Sequence, residues 1–440
     1  MCLPKLVNGP DRGYTQKDAG WSFRSRQGRE QKVSDLDGEE LRSMTHRLYY
    51  DDVYLKEFDA VVLDCRQEGG RWEIILDRSA FFPEGGGQNG DRGKLSDTCS
   101  GVTADVLDTR EQGEDVILVC SAPMEKGSRV RGTLDWEYRF DRMQNHSGEH
   151  IVSGLIHTTF GYNNVGFHMS TDRMTIDLDG ELSEDDLRDI ERRANEIVWQ
   201  NAAIRTDVYT EEEAENIEFR SKRELHGQIR VVSIPGADVC ACCGTHVALT
   251  GEIGPIRIIS HERFRGGIRM ELMCGRWAYE YMTQLLMQSH EVSTLLSSQM
   301  HQIAPAVKKL VDDQNQLKGR MIGLYYEQIE KKAQELAGRG DVLIFADHYT
   351  PVLVQKLTAR VMEMTPFKVF SFAGNDEEGY KYAVGQTDGD LKEFVKDMNG
   401  QLSGKGGGRP FFRQGSVSSY RESIEKYFSE KVDGIIIDTV

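Results

Sequence analysis

Asn145-His146-Ser147-Gly148-Glu149-His150-Ile151-Val152-Ser153-Gly154-Leu155-Ile156 decides how this chain is read. The spacing predicts a helix over about 135–159, with Ile151, Leu155 and Ile156 on one apolar face. His146 and His150 stand at i and i+4. Both imidazoles therefore leave the same helix face, one turn apart, where they can share a metal. Further along, Cys242-Cys243-Gly244-Thr245-His246 supplies a thiolate and an imidazole, and its glycine lets the chain fold both toward one point. Thiolate and imidazole are the donors zinc prefers. One Zn2+ per chain, held by His146, His150, Cys242 and His246, is the expectation. Two readings compete with it. Cys240, Cys242 and Cys243 could form a redox or simply buried cluster. His146 to His150 also fits H-x-x-E-H, with Glu149 as the general base of an inverted-motif zinc peptidase, but that reading leaves Cys242 and His246 without a role.

Upstream of the helix the pattern is short and β-rich. Residues 58–63, 72–76, 102–107 and 116–120 read as strands between turns, the spacing of a small barrel or sandwich. Inside this block lies Ser79-Ala80-Phe81-Phe82-Pro83-Glu84-Gly85-Gly86-Gly87-Gln88-Asn89-Gly90-Asp91-Arg92-Gly93. Three consecutive glycines let backbone N–H groups approach a ligand, and Gln88 adds an amide that donates and accepts. On its own the stretch reads equally as a glycine-rich barrel turn. It lacks the Gly-Lys-Ser/Thr ending of a P-loop, so ATP binding is not expected. Downstream, a second helix is expected to start at the cap Ser183 and run to about Trp199. Residues 229–234 and 253–259 read as strands.

Beyond residue 278 the chain looks helical. Val307, Leu310, Gln314, Leu317, Met321 and Leu324 step by three and four, a heptad-like seam that Pro305 interrupts. The seam leaves a homodimer and an intramolecular helical hairpin both open. From residue 341 strands (342–346, 368–372, 434–437) alternate with helices (about 351–363, 388–399, 418–430), which is an α/β pattern. The expected class is α+β. A disordered extension covers 1–43, and Met44 is a candidate start of the folded protein. A β-barrel domain covers 44–135, a zinc-containing α+β domain 136–277, a helical linker 278–338 and a C-terminal α/β domain 339–440.

The chain has 440 residues, is 39% hydrophobic and carries a net charge of −17. That charge would repel nucleic acid unless basic residues cluster locally. Three clusters qualify: Arg129, Arg131, Arg139 and Arg142; Arg263, Arg265, Arg269 and Arg276; and Lys405, Arg409 and Arg413 in a C-terminal loop. Each reads equally as a solvated face. No apolar h-region opens the chain and no run approaches the roughly 20 apolar residues of a membrane helix. A cytoplasmic protein with reduced thiols and no membrane partner is expected.

Taken in order, the 79–93 segment, the His146/His150 pair and the Cys242 to His246 segment resemble the editing module of alanyl-tRNA synthetases and its free-standing relatives, the alanyl-tRNA editing proteins. Gly404-Lys405-Gly406-Gly407-Gly408-Arg409-Pro410 resembles the glycine-rich element of the C-terminal domain that these synthetases share with DHH phosphodiesterases. The likeness runs from about Leu48 to the C-terminus. Ser79 and Phe82 depart from it, standing where the family usually has Thr and Tyr. The resemblance implies a trans-editing hydrolase that cleaves the ester of a wrong amino acid on alanine tRNA, chiefly serine, with glycine as the further candidate. Rejecting alanine needs a polar partner for the extra hydroxyl, which points to Ser79. Gln88 is the second catalytic candidate, orienting substrate or water. Gly85, Gly86, Gly87 and Arg269 are candidate substrate contacts, and tRNA is the expected partner. A zinc-stabilised tRNA-binding protein without catalysis is the alternative, alongside the peptidase.

Overall fold

The computed structural model describes residues 45–221 and 227–440. The extension expected over 1–43 lies outside the described residues. The chain divides into two compact units, Met1–Tyr281 and Met282–Val440.

The first unit begins with a closed six-stranded barrel. Its strands are β1 (Glu57–Glu68), β2 (Arg71–Leu76), β3 (Gly93–Asp97), β4 (Thr103–Gln112), β5 (Asp115–Cys120) and β6 (Arg129–Leu134), in the order β1-β2-β5-β4-β3-β6. Alternation drives the closure: Phe58, Ala60 and Val62 of β1 face inward, as do Val130 and Leu134 of β6. Gly132 is required on β6, because a Cβ there would fall on the Phe58 ring. The strands β3 and β6 are additions to the four read from sequence.

Helix α1 (Trp136–Phe160) follows directly. Asp135 caps it by accepting from the Tyr138 amide at 3.1 Å, and Gly161 at φ 74° ends it. It is buried almost all round, from Met143 through Ile156. Two glycines allow this. A Cβ on Gly148 would strike Cys274, and one on Gly154 would strike the Ala237 carbonyl. After α1 come β7 (Asn164–Met169), β8 (Met174–Leu178), α2 (Glu184–Gln200), β9 (Arg205–Tyr209), β10 (Ile229–Ile234), β11 (Asp238–Ala241), β12 (Ile256–Phe264) and β13 (Gly267–Cys274). An antiparallel sheet β12-β13-β8-β7 packs on α1 through Ile176, Met270 and Leu272, while β9-β10-β11 forms a second sheet. Ser183 and Asp186 make the capping box of α2. The strand expected over 253–259 starts later, since Thr250–Ile253 is a tight 3-10 turn.

In the second region α3 (Gly275–Leu295) and α4 (Ile303–Leu336) are helices. Pro305 does not break α4. It occupies the first turn, where no intrahelical N–H is needed, and the interruption lies just upstream. Val307, Leu310, Leu317, Met321 and Leu324 are 41–61% exposed, so no hairpin among the described residues covers the seam. The remaining elements are β14 (Val342–Phe345), α5 (Pro351–Met364), β15 (Val369–Asn375), β16 (Gly379–Gly385), α6 (Lys392–Gln401), β17 (Gly404–Arg409), β18 (Phe412–Val417), α7 (Arg421–Lys431) and β19 (Ile436–Thr439). They build one sheet, β17-β18-β16-β15-β14-β19, with β14 parallel to β15 and β19 and the other pairs antiparallel. The glycine-rich element carrying Lys405 and Arg409 is therefore an edge strand, not a loop. No helix among the described residues is long and apolar enough to cross a membrane.

Candidate metal centre

The four residues expected as ligands converge. Donor atoms of His146, His150, Cys242 and His246 all lie within 4.8 Å of one another. The two histidines come from α1, and the Cys and His from the turn after β11. The Sγ of Cys242 is 3.5 Å from Nε2 of His146. A tetrahedral zinc with the usual bond lengths separates its sulfur and nitrogen ligands by about 3.6 Å, so this edge already has the right length.

Each imidazole is oriented from behind. Nδ1 of His146 is 2.9 Å from Oε1 of Gln88, Nδ1 of His150 is 2.9 Å from Oδ2 of Asp238, and Nδ1 of His246 is 3.2 Å from Oγ of Ser147. That leaves Nε2 on all three rings as the nitrogen for a metal, the arrangement that fixes tautomers in metal sites. Nε2 of His246 is buried without a hydrogen-bond partner among the described residues. A buried imidazole nitrogen with nothing to bind is costly unless something fills the gap. Zinc therefore fits these residues.

Electrostatics agree at Cys242 and His246. Burial opposes a thiolate at Cys242, but the His146 and His150 imidazoles outweigh it and hold the thiol well below its usual range. Burial, aided by charge on His146, pushes His246 down to about 3, which keeps its ring neutral. Burial also opposes a proton on His150, yet Asp238 and the Cys240 and Cys242 sulfurs together raise it well above 6.5. Asp238 is itself gripped by Arg220, whose Nε and Nη2 donate to its two oxygens at 2.8 Å each.

The glycine-rich segment reaches this centre through Gln88, which is fully buried. Its Oε1 accepts from the Thr245 amide at 3.1 Å, and its Nε2 donates to Oγ1 of Thr245 at 2.8 Å. Gly85 and Gln88 exchange both backbone hydrogen bonds at 3.0 Å, closing a two-residue turn over Gly86 (φ 61°) and Gly87 (φ 88°). Positive φ at both central positions needs glycine. Gly87 is doubly constrained, because a Cβ would also meet the Phe167 carbonyl at 2.9 Å. Phe167 in turn stacks on His146, with ring centroids 5.3 Å apart. A clamp holds the far end of the segment. Asp91 pairs with Arg139, both 1% exposed, and accepts from the Phe82 amide at 2.6 Å.

Other sequence candidates lie elsewhere. Ser79 is buried at the barrel edge and its Oγ accepts from the Phe81 amide at 3.1 Å; no contact among the described residues joins it to the four-residue cluster. Arg269 pairs with Asp177 at 2.6 and 2.8 Å and lies 3.8 Å over the Phe264 ring. Strand alternation puts it on the face opposite Met270, which is buried in the core. Arg139 and Arg142 are corrected. Both are buried, Arg139 against Asp91 and Arg142 over the Tyr138 ring, so neither meets RNA. Glu149, the peptidase reading's base, takes its hydrogen bonds from Ser153 (2.6 Å) and Asn164. Cys242 stands inside the cluster, where that reading has no place for it.

A family model for the "Threonyl and Alanyl tRNA synthetase second additional domain" matches residues 229–269, and one for "tRNA synthetases class II (A)" matches 12–138. Alanyl-tRNA editing protein AlaX-L of Pyrococcus horikoshii is 28% identical over 413 residues, covering 88% of this chain and 98% of that protein. This chain is similar to alanyl-tRNA editing proteins over most of its length and most of theirs. Alanyl-tRNA editing protein Aarsd1 of Danio rerio matches at 26% identity over 86% of this chain and 96% of its own length. Alanine–tRNA ligase of Pyrococcus abyssi is 29% identical over 95% of this chain but only 47% of the ligase. The chain thus spans about half the length of that ligase.

Proposed function

We propose that this protein is a trans-editing aminoacyl-tRNA deacylase, hydrolysing the ester that joins serine, and secondarily glycine, to alanine tRNA. The observation that carries the reading is the His146, His150, Cys242, His246 cluster locked by Gln88 to the glycine-rich turn, in a chain that covers 98% of a named alanyl-tRNA editing protein. A Zn2+ held by these four residues would supply a Lewis-acidic centre for an ester carbonyl or the substrate's amine.

The chain's own groups divide the remaining work. Gln88 spends its oxygen on His146 and Thr245 and one amide hydrogen on Thr245. Its second amide hydrogen is the one we assign to orienting substrate or water. Gly86, at positive φ with open space where a Cβ would stand, leaves room at the turn for the acyl group, with Gly85 and Gly87 shaping the turn. To the Ser79 hydroxyl, whose oxygen accepts from the Phe81 amide, we assign recognition of the seryl hydroxyl, which alanine lacks. Arg269 would contact the nucleic acid outside the acyl pocket. The exposed seam of α4 would pair with a second copy of the chain. Incubating purified protein with Ser-tRNA and Ala-tRNA and following ester loss tests the reading. Release of serine with alanine retained is expected, and an intact seryl ester would refute it.

A further inference from the structure

The metal centre accounts for the ester but not for the chain of nucleotides behind it. Next to the glycine-rich segment, on the barrel's outer surface, is a cavity of about 510 Å³ lined in part by Arg71, Glu84, Asn89, Arg92, Arg110 and Tyr138. Asp108, also in the lining, holds Arg110 at 2.9 Å. Among the described residues neither Arg71 nor Arg92 has an ion pair. The Arg92 guanidinium lies 4.7 Å over the Tyr138 ring, which fixes its plane without neutralising it. Oδ1 of Asn89 is buried and has no hydrogen-bond partner among the described residues. Two unneutralised guanidiniums and one unused amide acceptor match two phosphates and a ribose hydroxyl.

The place of the cavity matters as much as its chemistry. Asn89 follows Gln88, which touches His146, so the two sites share one loop. Tyr138 and His146 are eight residues apart on α1, about 12 Å along the axis. We infer that this cavity binds the phosphodiester backbone of the single-stranded RNA end that carries the ester, a few nucleotides from the metal centre. The inference rests on the deacylase reading above, and it makes Arg71 and Arg92 substrate-binding residues that no sequence cluster contains.

The test compares wild type with the double variant Arg71→Gln/Arg92→Gln and with a control that removes two exposed arginines elsewhere in the unit, Arg188→Gln/Arg205→Gln. Binding of uncharged alanine tRNA is followed by fluorescence anisotropy across salt concentrations, and ester hydrolysis is measured in parallel. Losing two single-strand phosphate contacts should flatten the slope of log Kd against log salt by about 1.4. KM should rise on the order of tenfold with kcat nearly unchanged, the signature of lost uniform binding. Arg92→Lys should retain the slope, because it keeps the charge. A double variant that matches wild type in slope and KM overturns the inference, as does an equal effect from the control pair. If wild type leaves the ester intact, the deacylase reading fails, and the slope comparison with uncharged tRNA still decides whether the cavity binds RNA.

Discussion

Arg139→Met should destabilise the first unit more than any surface substitution. Arg139 and Asp91 are each 1% exposed. Nε of Arg139 donates to Oδ2 of Asp91 at 2.7 Å, and its Nη groups donate to the carbonyls of Ala80 at 2.6 Å and Val53 at 3.2 Å. The substitution leaves a buried carboxylate with only the Phe82 amide for support, and two carbonyls lose a donor. Breaking a buried pair from one side costs about 3–5 kcal/mol. For a unit of this size each kcal/mol lowers Tm by roughly 2–4 °C, so a drop of about 6–20 °C is expected in calorimetry. The double variant Asp91→Asn/Arg139→Met removes the stranded charge and should recover part of the loss. A single variant within about 1 kcal/mol of wild type, or a double variant no more stable than the sum of the singles, would refute this account of the clamp.

Asp238→Asn should weaken zinc binding by roughly 10–100-fold, as loss of an orienting partner does, measured by competition with a chromophoric chelator; unchanged affinity would show that Asp238 does not orient His150. Gly244→Ala places a Cβ on the His146 ring, so zinc content and hydrolysis should both fall while far-UV circular dichroism holds; full zinc occupancy counts against that packing. Leu317→Glu on the 59% exposed seam position should abolish self-association in sedimentation velocity, and a wild-type chain that is monomeric at every concentration removes the second copy as a partner.

Much of this site is visible in the sequence because its spacing is local. Two histidines one helical turn apart on α1, and a Cys and His bracketing a glycine, name the four residues that converge without any tertiary knowledge. What orients them is not local: Asp238 is 88 residues from His150 and Ser147 is 99 from His246, and no periodicity links such pairs. Charge patterning misled for the opposite reason. Arg139 and Arg142 look like part of a basic patch, but α1 is buried on nearly every side, so their charges are spent internally. The glycine-rich 404–409 segment looked like a loop because glycine is the usual turn signal. It is an edge strand in which Gly406, like Gly415 on the neighbouring β18, stays small because the Tyr382 hydroxyl lies against both. Strands β3 and β6 escaped notice because a closed barrel asks few apolar residues of each, Leu95 in one and Val130 and Leu134 in the other.

The most direct test is to assay hydrolysis and zinc content together, on seryl- and alanyl-esters of alanine tRNA, for wild type and Cys242→Ala. The account predicts that wild type contains one zinc, releases serine and spares alanine, and that Cys242→Ala loses both metal and activity. A zinc-free Cys242→Ala protein that still releases serine would contradict it.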